Sequence, residues 1–358
     1  MRIEEIDKNF ALQGQTNGKN ALKYYQIPHK DFDLYGVDYD QNRNCFTRMP
    51  FSVAETVSEG VRFLSAHTAG GRLRFSTDAA TLELRVAYEN LGLMLHMPVF
   101  GQAGFTLLEE TDEGRKLVKV LAPNLSDKNG FVTATALPRG GVMRNYILYF
   151  PLYNGVSGLT IGLNAEARIG SGKKYRDIKP ILYYGSSITQ GGCASRADNS
   201  YQAWIEKQND IDFINLGFSG SAKAEDAMVD YLSTIDCSLF VCDYDHNAPT
   251  AEYLRDTHFR LYERYRKARP NVPILFLTRP NGFRESNGKE RADIIRKTYL
   301  KARSKGDKQV YFLDGKHFYG IEERENCAVD GCHPNDLGFY RMAQAIYRKM
   351  KRIDKQFE

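Results

Sequence analysis

No apolar stretch in this 358-residue chain approaches the ~18 residues that a membrane-spanning helix needs, which excludes a helical membrane protein. No basic run is present either. The 49 Lys and Arg against 44 Asp and Glu leave a formal charge of +5, spread along the chain, so nothing tracks a phosphate backbone and no nucleic-acid partner is expected. The start, MRIEEIDKNF, carries acids where a secretory leader carries a basic patch and then an apolar core. The expected location is the cytoplasm, unless a signal peptide has been removed. Cysteines number only six, and neither C-x4-C pair, Cys237/Cys242 or Cys327/Cys332, has the C-x2-C spacing of a zinc knuckle. In the run CSLFVCD the odd spacing predicts that Cys237 and Cys242 face opposite sides of a strand. Buried, reduced thiols are therefore expected, rather than a zinc site or a disulfide scaffold. Neither G-x-x-x-x-G-K-[ST] nor G-x-G-x-x-G occurs, and no histidine spacing resembles a metal site, so no metal and no cofactor is expected.

What is present is an ordinary globular composition, 42% hydrophobic and 26% charged, long enough for about two domains at ~150 residues each. The two halves differ in period. From about 60 to 165 apolar residues alternate: Leu73 and Phe75; Leu82, Leu84 and Val86; Leu159, Ile161 and Leu163. That is the strand period, and no helical pattern of useful length interrupts it. TLLEETDEGRKLVKV reads as a hairpin turning at Asp112–Gly114. An all-β, jelly-roll-like antiparallel sandwich over 1–173 follows.

Beyond the Gly/Ser/Lys-rich GSGKKYRDIKP (170–180) the pattern changes. Short apolar runs ILYYG, FINLG, SLFVCD, PILFLT and VYFLD alternate with stretches of i, i+3, i+4, i+7 spacing, such as Leu254/His258/Leu261/Tyr262/Tyr265 and Phe339/Met342/Ala343/Ile346/Met350. Five strands alternating with helices predict a parallel sheet covered on both faces over 178–358, with ligands gathered at the carboxyl ends of the strands.

Four of those ends carry chemistry-bearing residues. After ILYYG, the sequence Ser186-Ser187-Ile188-Thr189-Gln190-Gly191-Gly192 places a serine on a tight strand-to-helix turn, where its hydroxyl is exposed and its N–H can face an oxyanion. A plain helix cap fits the same residues. After FINLG, Gly220 either presents its N–H to a substrate or makes an ordinary turn. After SLFVCD, Asn247 either aims an amide N–H at an oxyanion or forms an Asx turn. Near the end, Asp330 and His333 can pair, the carboxylate holding Nδ1–H while Nε2 faces a serine; loop solvation, with Asn335 capping the last helix, is the alternative. Ser187, His333 and Asp330 together supply nucleophile, base and orienter.

GSSIT, the Gly220 turn, Asn247 and D-x-x-H within DGCHPNDLGF resemble the four blocks of the SGNH/GDSL hydrolases, over roughly residues 178–355. The resemblance implies a flavodoxin-like three-layer α/β/α domain, with Ser187 as nucleophile, His333 as base, Asp330 as its orienter, and the Ser187 N–H, Gly220 N–H and Asn247 side chain as the oxyanion hole. Family members often carry Asp where this chain has Ser186. In the first half, DFDLYG (from Asp31) and NCFTRMP (from Asn44) resemble the DLY-type β-sandwich of one SGNH subgroup, which includes carbohydrate-directed esterases and an acyltransferase.

The activity so implied is that of a serine esterase cleaving short acyl, above all acetyl, esters of a carbohydrate or small metabolite through an acyl-serine. The preference for short acyl groups rests on family analogy. Acyl transfer by the same acyl-enzyme is the alternative. A non-catalytic sugar-binding protein is a further one, with Tyr24, Tyr25, Tyr35, Tyr39 and Tyr88 as stacking candidates. Loops 191–199, 244–250 and 279–288 are expected to size the pocket, with Arg279 meeting a polar substrate or facing solvent. His258 is expected to pack, His246 to adjoin the site, and His317 to cap or pack. The partner is a small-molecule or carbohydrate ester, with no membrane involved. The sequence identifies no substrate-binding residue and sets no oligomeric state.

Overall fold

The structure, a computed structural model, describes residues 3–7 and 21–358; part of the opening segment MRIEEIDKNF lies outside the described residues. Through Ser171 the chain forms two facing antiparallel sheets. One runs in the order Leu22–Ile27, Val156–Asn164, Thr81–Tyr88, Gly130–Ala136. The other runs Ile169–Ser171, Arg72–Thr77, Arg144–Tyr149, Phe105–Thr111, Gly114–Leu121, and Asp33–Tyr35 also pairs with Arg72–Thr77. The alternation in the sequence decides which faces meet. Leu82, Leu84 and Val86 lie opposite Leu163, Ile161 and Leu159, and together with Leu73, Phe75, Tyr146 and Leu148 they fill the space between the sheets. The hairpin turns at Asp112–Glu113, with Gly114 at φ +116°. Short helices do interrupt this half: Phe51–Val57, Glu59–Ser65 and the single turn Val99–Gln102. Between 60 and 165 only Glu59–Ser65, at the very start of that range, and that single turn depart from the strand pattern. A seven-residue helix started by a local cap, Ser58 accepting from Val61 N–H, is too short to show a period.

From Ile181 the sheet is parallel, in the order Phe213–Gly217, Ile181–Gly185, Leu239–Asp243, Ile274–Leu277, Val310–Leu313. In chain order this is 2-1-3-4-5, the flavodoxin-like arrangement, whose switch point lies at the carboxyl ends of the first and third strands. Successive residues serve two apolar layers. Ile181 and Tyr183 pack with helix Asp336–Ile353, and Leu182 and Tyr184 with Met228, Leu254 and Ile295 of the three helices on the other face. The last helix is capped by Asn335, whose side chain accepts from Gly338 N–H at 3.1 Å. Among the described residues no helix is long and apolar enough to cross a membrane.

One helix, Tyr201–Asn209, escapes the apolar-period reading because it buries polar side chains, Gln202 and Glu206, along with Tyr201 and Ile205. Glu206 receives Arg115 Nη2 at 2.6 Å and the Tyr149 hydroxyl at 2.5 Å, both from the sandwich. Beside them Arg72 reaches Asp212 at 2.6 Å and Arg74 reaches Asp210 at 2.7 Å, both arginines fully buried. The outer face of the second sheet is therefore an interior surface, and Leu108, Ile147, Tyr149 and Leu152 share an apolar cluster with Ile181 and Phe213.

The placement of Cys237 and Cys242 is also corrected. The strand begins at Leu239, so strict alternation does not reach Cys237, and both thiols pack in the same apolar cluster. All six cysteines are unpaired.

Candidate active site

The fully buried strand Ile181–Gly185 ends where only glycine fits. A Cβ on Gly185 would lie 2.3 Å from Thr189 Oγ1 and 2.7 Å from the Asp243 carbonyl oxygen. A one-turn helix, Ser187–Gln190, follows and closes on Gly191 at φ +104°. Cap and nucleophile are separate residues here. Ser186 accepts from Ile188 N–H at 3.2 Å and caps the turn, which leaves the Ser187 hydroxyl free to lie 2.9 Å from His333 Nε2. As the first helical residue, Ser187 has an N–H with no acceptor inside the helix.

His333 is held from behind. Its Nδ1 lies 2.7 Å from Asp330 Oδ2, while Asp330 Oδ1 accepts the backbone N–H groups of His333 at 2.7 Å and Cys332 at 2.9 Å. An ionised carboxylate only accepts, so Nδ1 carries the proton and Nε2 is free to accept from Ser187. Burial pushes the Asp330 carboxyl up, but the His333 N–H and ring and the Cys332 N–H outweigh it and hold the group at about 2. The turn is fixed from outside by Asn281, which donates to the Gly331 carbonyl at 2.8 Å.

Facing this pair is the segment after Phe213–Gly217. Gly220 sits at φ +66°, a left-handed conformation that favours glycine. Ser219 N–H is held by Gln190 Oε1 at 3.0 Å, and the Phe218 carbonyl takes one amide hydrogen of Asn247 at 2.7 Å. A side-chain amide has two donors, so Asn247 is oriented by one and keeps the other. From the sandwich, buried Arg48 donates to the carbonyls of Gly217 at 2.6 Å and Asn215 at 3.1 Å.

Ser187, Gly220, Asn247 and His333 open onto one pocket of about 380 Å³, which Gly192, Cys193, His246 and Cys332 also line. Asp330 stands behind His333. The sandwich supplies the rest of the wall, Met94, His96, Met97 and Tyr153, which sequence reasoning missed because loop residues carry no period. Burial pushes the Cys193 and Cys332 thiols up to about 12 and about 11, so neither is a thiolate at neutral pH. Among the described residues no group of three or more His, Cys, Asp or Glu is placed to hold a metal ion.

The other candidates fall elsewhere. Arg279 neither meets the pocket nor faces solvent: it is buried, pairs with Asp245 at 3.3 Å and with Glu285, and donates to the Asp245 carbonyl at 2.9 Å. Loops 191–199 and 244–250 reach the pocket, and 279–288 contributes no wall. His258 packs flat against Tyr244, and His246, its pKa lowered by burial to about 3, lies 3.9 Å from Cys332 Sγ. His317 is exposed at a separate recess. Of the five tyrosines, Tyr25 and Tyr88 are buried, Tyr35 and Tyr39 lie edge-on to Tyr175 and Phe46, and Tyr24 is exposed with the Arg85 guanidinium over its ring.

Residues 178–351 match the GDSL-like Lipase/Acylhydrolase family, and residues 22–169 match the family described as the N-terminus of Esterase_SGNH_hydro-type. No curated protein matches the chain. Among solved structures, a protein from Bacteroides ovatus ATCC 8483 described as a GDSL-like lipase is 26% identical, with a TM-score of 0.84 over 93% of this chain and 98% of that one. A salicylyl-acyltransferase from a tetracycline biosynthetic pathway is 18% identical, with a TM-score of 0.75 over 93% and 97%. A family two carbohydrate esterase from Cellvibrio japonicus is 12% identical, with a TM-score of 0.62 over 95% and 100%. The last two are likenesses of fold.

Proposed function

Because residues 178–351 belong to the GDSL-like lipase/acylhydrolase family and the chain is accordingly a serine ester hydrolase, we propose that it removes a short acyl group, above all acetyl, from a carbohydrate or small-metabolite alcohol. The observation that carries this reading is the continuous chain Ser187 Oγ–His333 Nε2, His333 Nδ1–Asp330 Oδ2, at 2.9 and 2.7 Å, opening onto a pocket of about 380 Å³.

In this mechanism Ser187 Oγ attacks the ester carbonyl carbon as its proton passes to His333 Nε2, and Asp330 stabilises the imidazolium. The carbonyl oxygen becomes an oxyanion, met by the N–H groups of Ser187 and Gly220 and the free amide hydrogen of Asn247; one such donor is worth ~2.7–4 kcal/mol. Collapse breaks the bond to the alcohol oxygen, which takes the proton from His333 and leaves. Water, deprotonated by the same imidazole, then cleaves the acyl-serine and restores the free enzyme. The short-acyl preference draws support from the walls, where Met94, Met97 and Tyr153 close a space that both sides of the ester must share. Transfer to an alcohol instead of water uses the same acyl-enzyme. It draws support from a second recess of about 540 Å³, lined in part by His96 and Cys193, where an acceptor can approach.

The test is Ser187→Ala with p-nitrophenyl acetate, alongside labelling of the parent by a fluorophosphonate. The expected result is loss of turnover and label on Ser187. Hydrolysis at the parent rate by the variant would falsify the assignment, and a panel from acetate to octanoate that favours the long chains would overturn the acyl preference.

A further inference from the structure

The segment 89–98 crosses from the sandwich to the pocket with no regular structure and a partly apolar tip, yet its backbone is pinned. Two buried amides hold it. Gln102 accepts from Met94 N–H at 2.6 Å and donates to the carbonyls of Met94 at 3.0 Å and Met97 at 2.6 Å. Asn154 accepts from Gly92 N–H at 2.9 Å and donates to the carbonyls of Gly92 at 3.1 Å and Gln102 at 2.9 Å. Both side chains are nearly inaccessible, so these bonds are shielded from water, and losing any one leaves a buried polar group unpaired. A loop fixed at Gly92, Met94 and Met97 presents the two residues between the last two, Leu95 and His96, in a defined place, and of these His96 lines the pocket. Its ring centroid lies 6.2 Å from that of His333, and unlike its supports it is exposed.

The chemistry gives that place a direction. His333 must return its proton to the departing oxygen, so the alcohol portion of the ester passes beside His333. His96 stands on that path. It borders the pocket that holds Ser187 and also the neighbouring recess, whose other walls, Val329 and Asn335, flank the His333 turn. An imidazole offers one donor and one acceptor, which suits an alcohol carrying further hydroxyls better than a plain alkyl alcohol. Resting on the serine-esterase reading above, we infer that His96 is the alcohol-side specificity residue, supplied by the sandwich half, and that it selects polyhydroxylated alcohols, as leaving group or as acceptor.

The experiment holds the acyl group constant and varies the alcohol. Kinetics on 6-O-acetylglucose, ethyl acetate and p-nitrophenyl acetate are compared in the parent, His96→Ala and His96→Gln. His96 is exposed, so the alanine variant is expected to keep the parent's Tm. The inference expects the parent to prefer 6-O-acetylglucose to ethyl acetate. It expects His96→Ala to lower kcat/KM on the sugar ester at least about tenfold more than on p-nitrophenyl acetate or ethyl acetate, mostly through KM. His96→Gln, which keeps a donor and an acceptor, is expected to recover part of the loss. A parent that labels with fluorophosphonate but shows no preference for the sugar ester overturns the inference, as does a variant that loses equally on all three esters or on none. A parent that does not label overturns the esterase reading beneath it.

Discussion

The phenol of Tyr153, from the sandwich half, lies 2.7 Å from Ser219 Oγ and 3.2 Å from the carbonyl oxygen of Ser187. It thereby ties the turn that carries the nucleophile to the turn that carries Gly220. Burial pushes the phenol well above its ordinary range, so it stays protonated and keeps its donor. Tyr153→Phe keeps the ring and removes the tie. One hydrogen bond is worth ~1–1.5 kcal/mol net, about tenfold in rate if it acts on the transition state. The expected outcome is a kcat about tenfold lower, with KM within twofold and Tm within a few degrees. A fall in Tm without the kcat loss would mark the tyrosine as structural only. Ser219→Ala should cost less when added to Tyr153→Phe than alone, because the two side chains share one bond.

The site was legible where its chemistry is local. Gly185-Ser186-Ser187 and Asp330-x-x-His333 are turns whose geometry is set within a few residues; the alternation of apolar runs places the first at a strand end, and the second lies just before the last helix. What stayed hidden depends on contacts between the halves. Glu206 sits in a helix that lacks an apolar stripe because its inward face meets Arg115. Arg72 and Arg74 alternate with Leu73 and Phe75 as a half-exposed strand would, yet both faces are buried. Arg279 follows a strand like the active-site residues, but Asp245 and Glu285 hold it away from the pocket. Met94, His96 and Tyr153 belong to segments with no period at all, so no sequence pattern could assign them to a site built from the other half.

Asp330→Asn tests the orienter. The amide would still accept the backbone N–H groups of Cys332 and His333 through its oxygen, so the turn is expected to hold. Toward Nδ1 it offers either the weaker acceptor or a donor, which favours the tautomer that blocks Nε2. The expected loss is in kcat, by up to ~10⁴-fold, the scale of this substitution where a carboxylate fixes the base. Since the parent carboxyl is held at about 2, it stays ionised above about pH 4, and no acid limb of the rate profile in that range comes from it. Near-parent rates in Asp330→Asn would reassign the orienting role to another group.

Asp243 gives a pH dependence of the opposite sign. It ends the strand Leu239–Asp243 directly beneath the nucleophile turn, its carbonyl accepting from Ser186 N–H at 3.3 Å. The side chain is buried, with Oδ1 lacking a hydrogen-bond partner. Burial, then the neighbouring carboxylate of Asp245, push its pKa to about 8; the Thr189 hydroxyl, the Ser186 N–H and Arg279 pull the other way and do not prevail. In the unfolded chain the group titrates near ~3.9. Between those values the folded state holds a proton that the unfolded state has lost, so stability present below about pH 4 is given up progressively as pH rises toward 8. Asn cannot titrate and nearly matches Asp in shape. The Tm of Asp243→Asn relative to the parent is therefore expected to rise from pH 5 to pH 8.5 at constant ionic strength, whatever its offset at pH 5. A difference that stays flat across that range would mean that Asp243 is ionised in the fold at neutral pH, its charge compensated by Arg279.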